Sequence, residues 1–302
     1  MWNVPDINAI KYFSIVDEAL TNDELFKIFK RNHDYYSIVG MSCQSEAEWM
    51  IGKLKDNDDI SLNIEKFKRN DTIGDPELFE SKEYGLISAN TVRYINSLQN
   101  IQKHIGSLHG KDIVEIGVGY GGLCYILSTF YNIKSYRLVD VPNVALLAVK
   151  YLRALGLNTS LVTERSIEVN FDHKTSVIPK HFDTHLTPSI VDTISENGRE
   201  PRVDFVNPSV SNTLNRSPDL FISEYCISEM NDDGIDHFYE NYIQRSKNIY
   251  IFSNLWDKKR KEQFLSKLGE KFNLTVFDDP LPHETKICPE KTNYIIMGKR
   301  RL

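Results

Sequence analysis

The sequence predicts an α/β fold built on a Rossmann-like, mostly parallel sheet with an antiparallel C-terminal edge strand. Short apolar runs alternate with segments of helical period from residue 112 to residue 271, which indicates parallel strands with helices on both faces. A glycine-rich turn follows the first of these strands. The strands at 273–278 and 292–298 are joined without a helix, so the C-terminal edge is expected to be antiparallel.

Each core element is predicted from its own pattern. The strands are the apolar runs 112–116, 135–140, 219–224 and 248–253, and the helices that follow them are 121–131, 143–155, 233–246 and 257–271. A third core strand lies at 159–163 or at 203–206, and the sequence leaves both positions open. Residues 165–202 show no clear period, so we interpret them as an insertion or a lid.

The N-terminal segment is predicted to form a small helical cap. It is polar and charged, its apolar side chains recur three and four positions apart, and Asn22 is placed to cap a helix. Residues 70–90 have the composition of a loop, and residues 91–105 form an amphipathic helix. We therefore expect a helical cap at 1–90 and the α/β domain at 91–302.

Composition and charge limit the classes of function. The chain has 302 residues, a net charge of −6 and four widely separated cysteines. The acidic balance argues against a broad nucleic-acid surface, and the cysteine spacing favours a reduced compartment. We see neither a secretion signal nor an apolar run of membrane-spanning length. We therefore expect a cytoplasmic protein that binds a small molecule, and a homodimer is compatible with the acidic cap.

The glycine-rich turn is the strongest functional signal. Gly117, Gly119 and Gly121 allow a tight turn and close approach of a ligand to the backbone, and the next helix offers free N–H groups. Gly117, Gly119 and Gly122 also satisfy the dinucleotide pattern G-x-G-x-x-G. Glu115, two residues before the first glycine, fits better the E/D-x-G-x-G-x-G pattern of S-adenosylmethionine (SAM) methyltransferases.

Two acidic residues are placed to contact such a ligand. Asp140 ends the second strand, where a carboxylate accepts both ribose hydroxyls of SAM or NAD. Its alternative role is a helix N-cap, because Asp140-Val141-Pro142 opens the next helix. Glu115 is expected to orient the glycine turn and meet the methionine ammonium group. Its alternative is a solvent-exposed strand end.

The segment SEYCISEM at 223–230 is expected to face the acceptor, because ligands bind beyond the carboxyl ends of parallel strands. A hydroxyl acceptor needs a general base or a hydrogen-bond acceptor. Glu229 is the first candidate and Glu224 the second, with capping of the following helix by Ser228 and Glu229 as the alternative. His283, in the loop before the last strand, is a further candidate base.

A metal site is not expected. His181 and His185 have the i,i+4 spacing of metal ligands, but the glutamate of H-E-x-x-H is missing and the segment lies beside a proline-bearing loop.

Four blocks of sequence resemble the SAM-dependent sugar O-methyltransferase family. They are NDTIGDP at 70–76, ISANTVRY at 87–94, VEIGVGYGG at 114–122 with the following YRLVDVPNVALLAVKYL, and DLFISEYCISEM at 219–230. The resemblance covers roughly 70–160 and 218–302. It implies a class I methyltransferase that uses SAM, releases S-adenosylhomocysteine and acts on a sugar hydroxyl. A nucleotide-linked deoxy or amino sugar or a glycan precursor is the implied acceptor.

The same resemblance implies roles for individual residues. Arg93 and Tyr94 would line the cofactor pocket, with Arg93 able to pair with the methionine carboxylate. The other implied cofactor residues are Glu115, Gly117, Gly119, Gly121, Asp140 and Val141. Tyr225, Ser228 and Glu229 would face the acceptor. Glu224 stands where the family usually has Asn, and Ala89 where it often has Pro. The 165–202 region is longer than is usual in the family, so the identity of the acceptor is left open.

Three other functions compete with this reading. N-methylation of a small amine or phosphorylated acceptor is a close alternative. An NAD-dependent oxidoreductase is supported by the overlapping glycine pattern, but the mid-chain position of that turn and the two closing strands oppose it. A non-catalytic SAM-binding subunit would tolerate loss of Glu224, Glu229 and His283.

Overall fold

The computed structural model describes residues 7–39, 44–54, 58–161, 202–206, 217–254, 257–279 and 293–301. The strands are β1 (Leu78–Ser81), β2 (Gly85–Ser88), β3 (Asp112–Ile116), β4 (Ser135–Val139), β5 (Thr159–Leu161), β6 (Arg202–Val206), β7 (Leu220–Glu224), β8 (Asn248–Ser253), β9 (Phe272–Asp279) and β10 (Asn293–Arg300).

The helices are α1 (Ile7–Thr21), α2 (Asp23–Phe26), α3 (His33–Val39), α4 (Gln44–Lys53), α5 (Asp58–Lys68), α6 (Ala89–His104), α7 (Gly122–Phe130), α8 (Pro142–Ala154), α9 (Asp232–Asn241) and α10 (Lys258–Gly269). Short 3₁₀ helices span Phe29–Arg31, Arg69–Asp71, Cys226–Glu229 and Ile243–Arg245. None of the described helices combines the length and the apolar composition that crossing a bilayer requires.

Across the described residues, the main sheet has eight strands in the order β5-β6-β4-β3-β7-β8-β10-β9. Neighbouring strands are parallel except that β10 runs antiparallel to both β8 and β9. This confirms the predicted α/β class and the antiparallel C-terminal edge. The reversed strand β10 lies one position inside that edge, and β9 is the outermost strand.

Both segments that competed for the third core strand are strands. β6 pairs with β4 and is the third core strand, whereas β5 pairs outside β6 and widens the sheet. Residues 165–201 of the predicted insertion lie outside the described residues, and Arg202 begins β6.

The segment predicted as a loop contains an antiparallel hairpin, which corrects the sequence-based expectation. β1 pairs with β2, and Gly85 has φ of +69° at the start of the second strand. A turn precedes the hairpin, where Gly74 and Asp75 have φ of +88° and +49°. The predicted helix 233–246 is shorter, because α9 ends at Asn241 and is followed by a 3₁₀ turn.

The sheet has a hydrophobic core on each face, because successive strand side chains point in opposite directions. The first core joins Ile113, Leu138 and Ile222 to α6, α7 and α8, and it also includes Val16 and Tyr35 of the N-terminal helices. The second core packs Val114, Phe221 and Ile251 against α9 and α10. The N-terminal helices therefore share a core with the sheet.

The order of the strands places a binding edge at β3. The chain passes from β3 to β4 on one side and later returns to place β7 on the other side of β3. Ligands of open α/β sheets bind beyond the carboxyl ends of the strands at such a switch point. The segments that follow β3, β4 and β7 are the glycine turn, Asp140 and the stretch from Tyr225 to Glu229.

Candidate functional site

The glycine turn after β3 uses left-handed backbone that favours glycine. Gly117, Gly119 and Gly121 have φ of +70°, +52° and +86°. A Cβ atom on Gly117 would lie 2.2 Å from Cβ of Cys226, so that position has no room for a side chain. The Gly117 N–H donates to Val139 O at 3.0 Å. The turn is therefore held between the end of β4 and the 3₁₀ helix after β7.

Asp140 joins the glycine turn to the start of α8. Its Oδ2 accepts from Gly119 N–H at 3.3 Å, and its Oδ1 accepts from Val141 N–H at 2.7 Å. Val141 is the N-cap residue of α8 and makes no side-chain cap bond. Burial raises the pKa of Asp140 to about 7, and backbone hydrogen bonds from Val141, Val118 and Gly119 oppose the rise.

Glu115 is a buried carboxyl rather than a solvent-exposed strand end, since 3% of the residue is exposed. The Tyr136 hydroxyl donates to Glu115 Oε2 at 2.7 Å. Burial raises the pKa of Glu115 to about 8; the Tyr136 hydrogen bond opposes the rise, and the charges of Glu224 and Asp140 add to it. Glu115 is thus close enough to Glu224 and Asp140 for their charges to raise its pKa.

Arg93, on α6, lies next to Glu224 at the end of β7. Arg93 Nε is 3.6 Å from Glu224 Oε2, and both side chains are buried. Arg93 Nη2 donates to the Tyr94 hydroxyl at 3.2 Å, and the guanidinium carbon lies 5.5 Å from the ring centroid of Tyr225. Among the described residues, neither Arg93 Nε nor Glu224 Oε2 has a hydrogen-bond partner. A predicted cofactor residue and a candidate general base therefore form one buried ion pair.

Two residues of a hydrogen-bond chain that ends at Glu224 were missed by the sequence analysis. The Ser97 hydroxyl donates to Glu224 Oε1, and the Tyr250 hydroxyl donates to Ser97 Oγ at 3.1 Å. Ser97 lies four residues after Arg93 on α6, so helical spacing was the signal that could have found it. Burial raises the pKa of Glu224, while Arg93 and Ser97 oppose the rise.

Tyr225 has a strained backbone next to Glu224. Its φ is +63°, which is rare for a bulky residue. Its N–H donates to Phe252 O at 2.6 Å, and its hydroxyl accepts from Asn293 Nδ2 at 3.4 Å. The Ser228 hydroxyl donates to Tyr225 O at 2.5 Å, so it holds this turn together.

Glu229 and Ser228 do not cap α9, which corrects the alternative role. The N-cap is Asn231, whose Oδ1 accepts from Gly234 N–H at 3.0 Å. Glu229 is exposed at the end of the 3₁₀ helix. His283 lies outside the described residues, as do His181 and His185.

A cluster that we call the Lys30 clasp consists of Lys30, Asn70, Tyr120 and Tyr151. Lys30 Nζ donates to Asn70 O at 2.7 Å and to the Tyr151 hydroxyl at 3.0 Å. Asn70 Nδ2 donates to the Tyr120 hydroxyl at 3.3 Å, and the Tyr151 hydroxyl donates to Asn70 Oδ1 at 2.7 Å. Burial lowers the pKa of Lys30 to about 7. Because Tyr120 belongs to the glycine turn, the clasp ties that turn to the N-terminal helices.

The N-terminal helices also cover the glycine turn. A Cβ on Gly119 would lie 3.2 Å from Cγ1 of Val39, the last residue of α3. The ring centroids of Tyr12 and Tyr35 are 5.3 Å apart, and the negative charge of Asp140 adds to burial in raising the pKa of both hydroxyls. The buried Tyr35 hydroxyl has no hydrogen-bond partner among the described residues.

The groups at this edge fit a nucleoside that carries a positive charge. Glu115, Asp140 and Glu224 provide three buried carboxyl groups beside one buried guanidinium, Arg93. Carboxylates accept hydrogen bonds from ribose hydroxyls and attract ammonium and sulfonium groups. Within the described ranges, no group of three or more His, Cys, Asp or Glu side chains could hold a metal ion.

A separate cavity of about 280 Å³ lies among the N-terminal helices beside Leu25, Ile28 and Asn32.

No protein-family model and no curated protein matches the chain at a significant level. Similar solved structures include the N-methyltransferase NodS from Bradyrhizobium japonicum in complex with S-adenosylhomocysteine, with 11% identity over 70% of this chain and 86% of that chain and a TM-score of 0.42.

M. capricolum TrmK in complex with S-adenosylhomocysteine has 11% identity over 68% of each chain and a TM-score of 0.38. The methyltransferase domain of bacterial CtHen1 has 14% identity over 70% of this chain and 99% of that chain and a TM-score of 0.45. At these values the likeness carries no information about the acceptor. The methyltransferase-like α/β fold is read from the strand order of the chain itself.

Proposed function

We propose that this chain is a SAM-dependent methyltransferase that methylates a hydroxyl of a sugar, with a nucleotide-linked deoxy or amino sugar or a glycan precursor as acceptor. The observation that carries the proposal is the hydrogen bond from Gly119 N–H to Asp140 at the switch point of the sheet. It fixes a carboxyl group beside a glycine turn that lets a ligand approach the backbone.

The cofactor residues have distinct roles in this proposal. Asp140 accepts hydrogen bonds from the ribose hydroxyls while it holds Gly119 and Val141. Glu115, buried beneath the turn, counters the positive charge of the ligand through the field of its carboxylate. Arg93 meets the methionine carboxylate from α6 with the guanidinium N–H groups that Glu224 and Tyr94 leave unused. The cofactor supplies an electrophilic methyl group when bound.

We assign proton removal to Glu224 rather than to Glu229. Glu224 is buried on the same face of the sheet as Glu115 and next to Arg93, whereas Glu229 is exposed. The acceptor oxygen forms the new bond to the methyl carbon, the carbon–sulfur bond breaks with its electrons staying on sulfur, and the hydroxyl proton passes to the Glu224 carboxylate. His283 stays a candidate base.

The sugar acceptor rests on the sequence blocks that resemble the sugar O-methyltransferases. Two of these blocks contribute residues near the carboxyl edge of the sheet. Block 70–76 contributes Asn70 to the Lys30 clasp, and block 87–94 contributes Arg93 and Tyr94. Cytoplasmic location, homodimer formation and absence of nucleic-acid binding stay predictions that go with this function.

Calorimetric titration with S-adenosylhomocysteine tests the cofactor. We expect micromolar binding to the wild type and a loss of about 1–3 kcal/mol in Asp140→Asn, the scale of a hydrogen bond to a charged group. Asp233→Asn, an exposed acid on α9, is the matched control and should bind as the wild type does. A wild-type chain that binds NADH and not S-adenosylhomocysteine would overturn the proposal.

Transfer of a labelled methyl group from SAM tests the acceptor. Nucleoside-diphosphate hexoses with and without an amino group should take up label as acid-stable methyl ethers, and Glu224→Gln should remove most of the turnover. Label on nitrogen instead of oxygen would move the function to N-methylation.

A further inference from the structure

Beyond Glu224, the carboxyl edge of the sheet carries two asparagines that the sequence analysis did not single out. Asn254 follows β8, and Asn293 is the first residue of β10. Tyr294 pairs with Ser253 in the antiparallel ladder of β8 and β10, so the register brings Asn254 opposite Asn293. Asn293 in turn pairs with Asp279 of β9.

These two side chains lie on the face of the sheet that holds Glu224. Tyr250 and Phe252 of β8, and Ile295 and Met297 of β10, belong to the first core. Side chains two positions apart share a face, so Asn254 and Asn293 point to that same side. Asn293 Nδ2 donates to the Tyr225 hydroxyl at 3.4 Å, which connects the pair to the residue that follows Glu224.

Both amides have an unmet hydrogen-bonding atom. Asn293 is fully buried, and neither its Oδ1 nor the buried Oδ1 of Asn254 has a partner among the described residues. A buried polar group without a partner destabilises the fold, so native proteins give nearly all such groups a protein, water or ligand partner. Two such oxygens, on residues that the register of neighbouring strands places opposite each other at a binding edge, indicate a place where a ligand supplies the missing partner.

The charges beside the two asparagines exclude an anionic group there. On one side Arg93 is paired with Glu224 at 3.6 Å, and on the other Lys53 is paired with Asp279. Both cations thus already lie beside carboxylates of the chain itself, and in the proposed function the remaining N–H groups of Arg93 bind the methionine carboxylate of the cofactor. A phosphate or carboxylate would meet two acids without a spare positive charge, whereas a hydroxyl group both donates and accepts and suits an amide.

We propose that Asn254 and Asn293 form a subsite that binds uncharged hydroxyl groups of the methyl acceptor next to Glu224. The inference rests on the proposed function and deepens it, because it says which part of a sugar acceptor is recognised and by which residues. It places the polyhydroxyl ring over β8 and β10 and directs any phosphate of the acceptor away from this part of the edge.

Saturation-transfer NMR on the full chain in the presence of S-adenosylhomocysteine tests the subsite, with UDP-glucose and GDP-mannose as probes. We expect saturation of the sugar-ring protons in the wild type. In Asn254→Leu and Asn293→Leu the affinity for at least one hexose should fall about tenfold, the scale of a hydrogen bond and its desolvation. The matched control is Ser253→Ala, which removes a buried, unpartnered hydroxyl from the opposite face of the same strand.

Two further readouts separate binding from folding. Asn254→Leu should melt at the same temperature as the wild type or higher without ligand, because it removes a buried carbonyl oxygen that has no partner among the described residues, whereas Asn293→Leu also loses the hydrogen bond to Tyr225 and should melt close to the wild type. Their affinity for S-adenosylhomocysteine should not change. A lower melting temperature together with loss of both ligands would overturn the subsite.

The subsite and the proposed function can fail independently. Unsaturated ring protons in a wild type that binds S-adenosylhomocysteine would overturn the subsite and leave the methyltransferase proposal standing. Ring contacts that depend on the two asparagines in a chain that does not bind S-adenosylhomocysteine would keep the subsite and overturn the methyltransferase.

Discussion

Glu115 and Asp140 are buried carboxyls whose neighbours include further acids. Burial is the main cause that raises the pKa of Glu115 to about 8 and that of Asp140 to about 7. Both groups therefore hold protons near neutral pH that the unfolded chain would release. A positively charged ligand would reverse this state, because it favours the ionised carboxylates.

Replacing Glu115 should change how stability depends on pH. The folded chain holds the Glu115 proton up to about pH 8, whereas the ordinary pKa is 4.5. Between these values the folded state binds more protons, so the free energy of unfolding falls as pH rises, by at most about 1.4 kcal/mol per pH unit. Glu115→Gln should flatten that fall in urea unfolding, and Glu262→Gln on the exposed side of α10 should not. An unchanged slope in Glu115→Gln would contradict the burial of this charge.

A pair of glycine substitutions should have opposite effects. Gly117→Ala places a Cβ 2.2 Å from Cβ of Cys226 at a φ of +70°, so it should cost roughly 2 kcal/mol or more and weaken nucleoside binding. Gly52→Ala, on α4 with no atom within 4 Å of the added carbon, should stabilise the chain by about 0.5–1 kcal/mol. Thermal unfolding of both variants measures these stability changes. Equal changes in Gly117→Ala and Gly52→Ala would show that the glycine turn relaxes to accept the added carbon.

Secondary-structure elements meet at the Lys30 clasp. It joins the 3₁₀ helix at Phe29–Arg31 to the segment around Asn70, to α8 through Tyr151 and to the glycine turn through Tyr120. Lys30 Nζ also lies 4.0 Å from the ring centroid of Tyr120. The clasp therefore makes the position of the glycine turn depend on the N-terminal helices.

Removing the amine of Lys30 should abolish a rise in stability at alkaline pH. The pKa of Lys30 is lowered from 10.5 to about 7 by burial, so the unfolded chain binds the extra proton between these values. The free energy of unfolding consequently rises with pH in this window, by at most about 1.4 kcal/mol per unit. Lys30→Met should lose that rise in denaturant titrations, whereas Lys259→Met, exposed on α10, should keep it. A rise that survives in Lys30→Met would assign it to another group.

For the whole molecule, titration of the two buried carboxyl groups and titration of Lys30 change the free energy of unfolding in opposite directions. Stability that depends on the protonated Glu115 and Asp140 is lost on the way up to about pH 8 and pH 7. Stability that depends on the neutral Lys30 is gained from about pH 7 upward. The ligand-free chain should therefore be least stable near pH 7–8, between two more stable ranges. Thermal unfolding across pH 5–10 measures this, and a single maximum near neutrality would show that the two sets of groups are more solvated than the structure indicates.

The sheet could be predicted from the sequence because its signals are local. Ile113, Val114 and Ile116 give an apolar run, Gly117 stops it, and Asp140 closes the next strand. The carboxyl ends of parallel strands meet at one edge, so the turn and both acids were brought together as expected. The hairpin of β1 and β2 was missed because each strand has four residues, of which only two carry apolar side chains.

The partners of the site residues could not be predicted, because they come from distant parts of the chain. Arg93 was expected at a ligand carboxylate, and nothing in its local sequence indicates its buried partner Glu224, which is 131 positions later. Lys30 carries no local pattern that separates a buried amine from a solvated one. Glu229 had the better motif position, but the 3₁₀ helix after β7 leaves it exposed.

The position of β10 also has a consequence for synthesis of the protein. β10 is the last strand of the described chain, yet it lies between β8 and β9, which have no direct pairing with each other. A ribosome delivers β8 and β9 first, so during translation each must wait with an open edge. The sheet is therefore completed late, when Asn293–Arg300 pairs with β8 and β9. A nascent chain stalled before these residues would expose the unpaired edges of β8 and β9 to other chains.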